Sequence, residues 1–199
     1  MSDDFFWSTS LQGINFGFNR SYALQGAPYT IFDSGASSII IPPAMMEPVL
    51  ENWAAAASGP VQYAVEEGLV FVDCNQRDRF QPLKFMVAQY WITVDPDDYT
   101  WDVDGDNSLC LMLLAENNYN FWIFGQPVFQ NYYTIHSMED STITFGPLVD
   151  SGKAIPTLGV IPDEILRGSK KPGFVKQYGS SLYMFIVLVI AVFALEPGL

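Results

Sequence analysis

The chain has 199 residues, 49% of them hydrophobic and 16% charged, which is enough apolar material for a sizeable core and excludes disorder as the main state. Its 22 Asp and Glu against 9 Lys and Arg leave a net charge of −13, which repels phosphate backbones and excludes a nucleic-acid binder. The charge is divided unevenly: 19 of the acids but only 4 of the bases lie in residues 1–150, while residues 151–199 carry a small basic excess. An acidic surface loses self-repulsion as the pH falls, which suits an acidic or extracellular fluid.

From the N-terminus, Asp3 and Asp4 stand where a secretory signal would carry Lys or Arg, and no signal peptide is expected. Short apolar, β-branched or aromatic runs then alternate with Gly, Pro, Asn and Asp, and predict strands of an antiparallel, all-β protein. The expected strands are Trp7–Ile14, Tyr29–Phe32, Ser38–Ile41, Val61–Tyr63, Leu69–Val72, Leu83–Val87, Tyr90–Val94, Cys110–Leu114, Phe121–Phe124, Tyr132–His136 and Thr142–Phe145. One helix is expected over Ala44–Ala57, where Met45, Met46, Val49, Leu50 and Trp53 fall near helical spacing. Pro48 inside it predicts a kink or a later start, and Ser58-Gly59-Pro60 its stop.

Strand Tyr29-Thr-Ile-Phe32 delivers a single acid, Asp33, into a turn of small residues, Ser34-Gly35-Ala36-Ser37, before the chain resumes as a strand. Small side chains allow close backbone approach, and Ser34 and Ser37 offer hydroxyls to a carboxylate. Alone, an Asp-Ser-Gly is common in turns. About ninety residues later, Trp122-Ile-Phe-Gly125 fits a strand packed beside a crowded loop.

Cys74 and Cys110 stand 36 apart, too far for a redox or zinc pair, and a disulfide and two buried thiols both fit. The acidic run from Asp95 to Asp106 lacks the Gly and Glu positions of a calcium loop and reads as a solvated loop, so no metal is expected. His136, the one histidine, lies mid-strand without a nucleophile motif and reads as structural. The sequon Asn19-Arg20-Ser21 bears on the chain only if it is secreted.

Residues 150–179 are rich in Gly, Pro and Lys and read as a linker. Beyond them Leu182–Leu195 holds fourteen residues without a charge. A buried core segment and the signal for a lipid anchor are the alternatives to a membrane anchor over 180–196, which its terminal position and uniform apolarity favour. The basic linker on the lobe side predicts a cytoplasmic lobe, opposing the acidic setting.

Taken together, Ile31-Phe32-Asp33-Ser34-Gly35-Ala36-Ser37, the helix after Pro42-Pro43, Cys74 and Cys110, Trp122-Ile123-Phe124-Gly125 and Tyr132-Tyr133-Thr134-Ile135 stand in the order of a known lobe. Over residues 5–148 the sequence resembles the C-terminal lobe of a pepsin-like aspartic peptidase, and Phe6-Trp7 through Ile14 looks like its opening strand. The resemblance implies one lobe of the pepsin-like β-barrel fold over residues 1–149. It implies aspartic endopeptidase activity without a cofactor on a peptide or protein substrate. Asp33 would be catalytic, with Ser34, Gly35, Ala36 and Ser37 shaping its loop and Trp122 and Gly125 packing behind. A Cys74–Cys110 disulfide and a secretory or endolysosomal setting follow from it too.

Three positions depart from the family pattern. Ala36 replaces a Thr or Ser that supports the carboxylate, although retroviral relatives carry Ala there. Gln126-Pro127 replaces the usual Asp after the glycine, and His136-Ser137 stands where Phe-Asp is common. One other Asp-Ser-Gly occurs, Asp150-Ser151-Gly152, but Lys153 and Ala154 follow it at the start of the Gly, Pro and Lys-rich stretch, so the longer Asp-Thr/Ser-Gly-x-Ser pattern of Asp33 to Ser37 is not repeated in the 199 residues. The family's mechanism uses two carboxylates, so a partner lobe is expected: a separate N-terminal half, another chain or a second copy. The rival expectation is an inactive lobe acting as a membrane-tethered binding or scaffold module.

Overall fold

A computed structural model describes residues 6–26, 28–149, 152 and 155–169. The first strand, β1 (Ser8–Asn15), buries Leu11 and Ile14 completely; three residues apart, they would face opposite sides of a regular strand, and a register shift in its pairing between Leu11 and Gly13 interrupts the alternation. It serves two neighbours in turn. Its first half pairs antiparallel with β3 (Tyr29–Phe32), and its second half pairs with β2 (Ser21–Leu24) on one side. After the loop at Asp33, β4 (Ile39–Ile41) runs into helix α1 (Pro43–Ala56), which buries Met46, Val49, Leu50 and Trp53 against the sheet.

Two hairpins follow. β5 (Tyr63–Glu66) and β6 (Leu69–Asp73) turn through Glu67 and Gly68, both at positive φ, as a two-residue hairpin with right-handed twist requires. A 3-10 helix, Cys74–Arg79, leads to β7 (Leu83–Val87), which joins the second half of β1, and to β8 (Tyr90–Val94). The short helix α2 (Pro96–Tyr99), closed by a reciprocal capping box between Asp95 and Asp98, precedes β9 (Thr100–Asp102). Then come β10 (Leu109–Glu116), β11 (Trp122–Phe124), α3 (Gln126–Phe129) and a ribbon of β12 (Tyr132–Ser137) and β13 (Thr142–Pro147) that stands apart from the main sheet.

The expectation of purely antiparallel pairing needs correction. β11 lies parallel to β3 in register Trp122↔Thr30 to Phe124↔Phe32, and β10 lies parallel to β4. Parallel neighbours need long crossovers, and strands paired 92 and 75 residues apart leave no local mark of their pairing. Most strand boundaries hold within two residues; β2 and β9 were not among the expected strands.

The expected linker is also in part a piece of the lobe. β14 (Thr157–Leu158) pairs with β8, β15 (Ile165–Leu166) pairs with β2, and Leu166 is buried in the core. The strap ends on α1. Pro48 has no N–H to give the carbonyl of Ala44, and that carbonyl instead accepts the Ser169 N–H at 2.6 Å. Helix α1 therefore keeps its proline and starts at Pro43, without a later beginning. A Cβ on Gly168 would lie 3.0 Å from Ala44, so glycine lets the strap approach. Among the described residues no helix is long and apolar enough to cross a membrane; residues 170–179 and the expected anchor at 180–196 lie outside them.

The core is aromatic where it supports the Asp33 loop. Phe124 meets Phe32 at 5.5 Å and Phe85 at 5.0 Å between ring centroids, and Phe85 also meets Trp122. Each such side chain contributes roughly 1.5–3 kcal/mol by leaving water. Cys74 and Cys110 form a disulfide with Cα atoms 5.0 Å apart, joining the 3-10 helix to β10.

Candidate active site

Two parallel strands end side by side and set the site. β3 delivers Asp33 and β11 delivers Gly125, and the Asp33 N–H donates to the Phe124 carbonyl at 3.0 Å, carrying the ladder one step past the strands. Asp33 is exposed at the end of this ladder. Its own turn is closed by the Ala36 N–H on the Asp33 carbonyl at 3.1 Å. The Gly35 N–H donates to Asp33 Oδ1 at 2.8 Å, and a Cβ on Gly35 would sit 3.1 Å from that oxygen. A glycine here lets the backbone close over the carboxylate.

The loop rests directly on the backbone after β11. A Cβ on Gly125 would fall 2.3 Å from the Ala36 carbonyl oxygen and 2.5 Å from that of Ser38, so no other residue fits without moving the loop. The φ of Gly125 is −106°, so the requirement is space alone. The Gln126 N–H donates to the Ala36 carbonyl at 2.9 Å, and the Gln126 side-chain amide donates to the Ser34 carbonyl at 3.4 Å.

The sequence-expected residues thus divide by position. Asp33, Ser34, Gly35, Ala36 and Gly125 come together, and Ser37 lies exposed in the same bend. Trp122 is fully buried three residues earlier on β11, in register with Thr30 and against Phe85, on the strand that carries Gly125. Gln126, marked in the sequence only as a departure, is tied to the loop by both its backbone and its side chain. No spacing signal points to that, because the partners are 92 residues apart.

Beside the loop opens a cavity of about 350 Å³ whose walls include Trp7, Phe32, Ser34, Tyr132, Tyr133 and His136. Its walls are largely aromatic and include no carboxylate among the described residues, Asp33 itself lying outside the lining. His136 Nε2 is 3.1 Å from Thr134 Oγ1, and the imidazole meets Trp7 edge-on at 4.9 Å, which fits a structural role. The acidic loop binds itself, Asp102 accepting the N–H groups of Gly105 and Asn107. Hydrogen bonds from the Ser108 hydroxyl, and then from its backbone, pull the carboxyl of Asp106 below the ordinary range. Among the described residues no group of three or more His, Cys, Asp or Glu could hold a metal ion.

A family model for eukaryotic aspartyl protease matches residues 1–148. This chain belongs to that family. The aspartyl protease match ends before the strap of β14 and β15 begins. The chain is 26% identical over 147 residues to a vacuolar aspartic protease of Candida albicans, covering 71% of this chain and 32% of the relative. It is 23% identical to Pepsin-2B of Gadus morhua, covering 71% of this chain and 41% of that one. Rhizopuspepsin-2 of Rhizopus niveus is 25% identical over 118 residues, which cover 59% of this chain and 28% of the relative. The chain therefore spans about two fifths or less of these aspartyl proteases.

Proposed function

We propose that the chain supplies one lobe and one carboxylate, Asp33, to an aspartic endopeptidase. The observation that supports this best is the loop itself: an exposed acid whose Oδ1 takes the Gly35 N–H, held at the ends of two parallel strands by Gly125. One carboxylate can hold a water and take its proton. Peptide hydrolysis at low pH also needs an acid that donates to the scissile carbonyl, and two carboxylates sharing one proton divide those tasks because they cannot easily ionise together. Water then attacks directly, and no covalent enzyme intermediate forms. The second carboxylate comes from a partner lobe, and peptides are the substrate. No cofactor enters this chemistry.

The names of the relatives, vacuolar proteases among them, support an endolysosomal or secretory route, and residues 180–196 supply a membrane tether in this reading. The test is cleavage of a peptide library at pH 3–6 by this chain and by any longer product containing it, with and without a pepstatin-type inhibitor. Inhibitable cleavage that Asp33→Asn abolishes is the expected result; none from either product would sink the reading. A second reading, a catalytically silent lobe kept as a binding or scaffold module, is favoured by the replacements at Ala36 and Gln126.

A further inference from the structure

Ser34 C=O and Gly35 N–H belong to one peptide unit, and that unit is held at both ends. Its oxygen accepts the side-chain amide of Gln126 at 3.4 Å, and its N–H donates to Asp33 Oδ1 at 2.8 Å. A peptide group is planar, so fixing the direction of the oxygen fixes that of the N–H. Hydrogen bonds on the two ends of an amide also polarise one another in the same sense. We propose that Gln126 is a positioning residue for Asp33, acting through the Ser34–Gly35 peptide.

This assignment rests on the reading that Asp33 is the catalytic acid, and it concerns how that acid is held. The backbone of Gln126 is fixed, although its side chain is exposed. Its backbone N–H is already bound to the Ala36 carbonyl at 2.9 Å, and Gly125 before it is locked against the same loop. The side chain therefore starts from a fixed point and reaches the one carbonyl whose peptide carries the Asp33 contact. The residue type matters. An amide nitrogen can donate to a carbonyl, whereas an ionised Asp, the residue usual after this glycine in the lobe that the sequence resembles, only accepts and would repel the Ser34 oxygen. Asp33 is exposed, so a loop held from both sides replaces the burial that would otherwise limit its motion.

The test is solution NMR of this chain without substrate, reading the Gly35 amide proton. Gln126→Met keeps the length and removes the donor; we expect an upfield shift and solvent exchange about fivefold faster, the value of one ordinary hydrogen bond. Gln126→Glu at pH 7 should change the same signal at least as much, and Gln126→Lys, which restores a donor, should return it toward the wild type. Amides of the buried residues Val70 and Met112 report that the fold is intact. An unchanged Gly35 signal in both the Met and Glu variants, or a Lys variant that behaves like Met, would overturn the assignment. Since no turnover is measured, absence of cleavage from this chain and from every longer product containing it would defeat the peptidase reading and leave this result standing.

Discussion

Gly125 shows how one residue's lack of a side chain can decide a site. The nearest atoms to its missing Cβ are backbone oxygens and cannot swing aside. Gly125→Ala should cost about 3 kcal/mol or more by overpacking, read as a lower denaturation midpoint, with Asp33 displaced together with Ala36. A stability equal to wild type would show that the loop is not pressed there. Glu116 makes a different residue-scale case. At the end of β10 its partial burial holds the carboxyl above the ordinary range. The folded chain thus keeps its proton to a higher pH than the unfolded chain, so this group favours the fold at low pH. That contribution is lost as the pH rises through the ordinary carboxylate range to the raised value. Glu116→Gln should accordingly raise Tm at pH 7 and leave it unchanged near pH 3; equal Tm at both would remove the linkage.

At the scale of elements, the strap is held by pieces that are each small. Two two-residue strands, one buried Leu and one carbonyl left by a proline fasten residues 157–169 to β8, β2 and α1. Cooperation among weak contacts makes such a segment sensitive to its largest one. Leu166→Ala should destabilise by about 2 kcal/mol, and trypsin should then cut after the exposed Arg167 before the lobe unfolds. Cleavage at the wild-type rate would show that the strap does not depend on Leu166. The sequence reads as a linker here because Gly, Pro and Lys dominate, and neither edge that the strap covers is near it in the chain. Pro48 has the same lesson: local rules count the hydrogen bond it removes, and only the tertiary structure supplies Ser169 as the replacement.

For the whole molecule, charge and apolarity are separated along the chain. The acidic lobe carries the Asp33 loop, and the expected tether lies beyond the strap, which ends beside α1. The chain should co-float with phospholipid vesicles, and a chain ending at Ser169 should remain at the bottom of the gradient. Equal flotation of the two would remove the tether from the proposal. Because the chain matches about two fifths or less of its relatives' length, the peptidase proposed above acts only together with a partner lobe, and the free lobe is expected to be silent in the cleavage assay.

Sequence alone was sufficient for the strand-rich class, the Asp33 turn, the glycine at 125 and the family, because each is written in consecutive residues: alternation, a run of small side chains, a short motif. The disulfide could be named there only through resemblance, since two cysteines 36 apart fit buried thiols equally well. Tertiary structure decided the parallel pairing of β3 with β11, the strap, the place of Trp122 against Phe85 and the tie from Gln126 to Ser34. All of these join residues far apart in the chain. Their contacts depend on which backbones the packed core brings within hydrogen-bonding distance, and no local pattern records that.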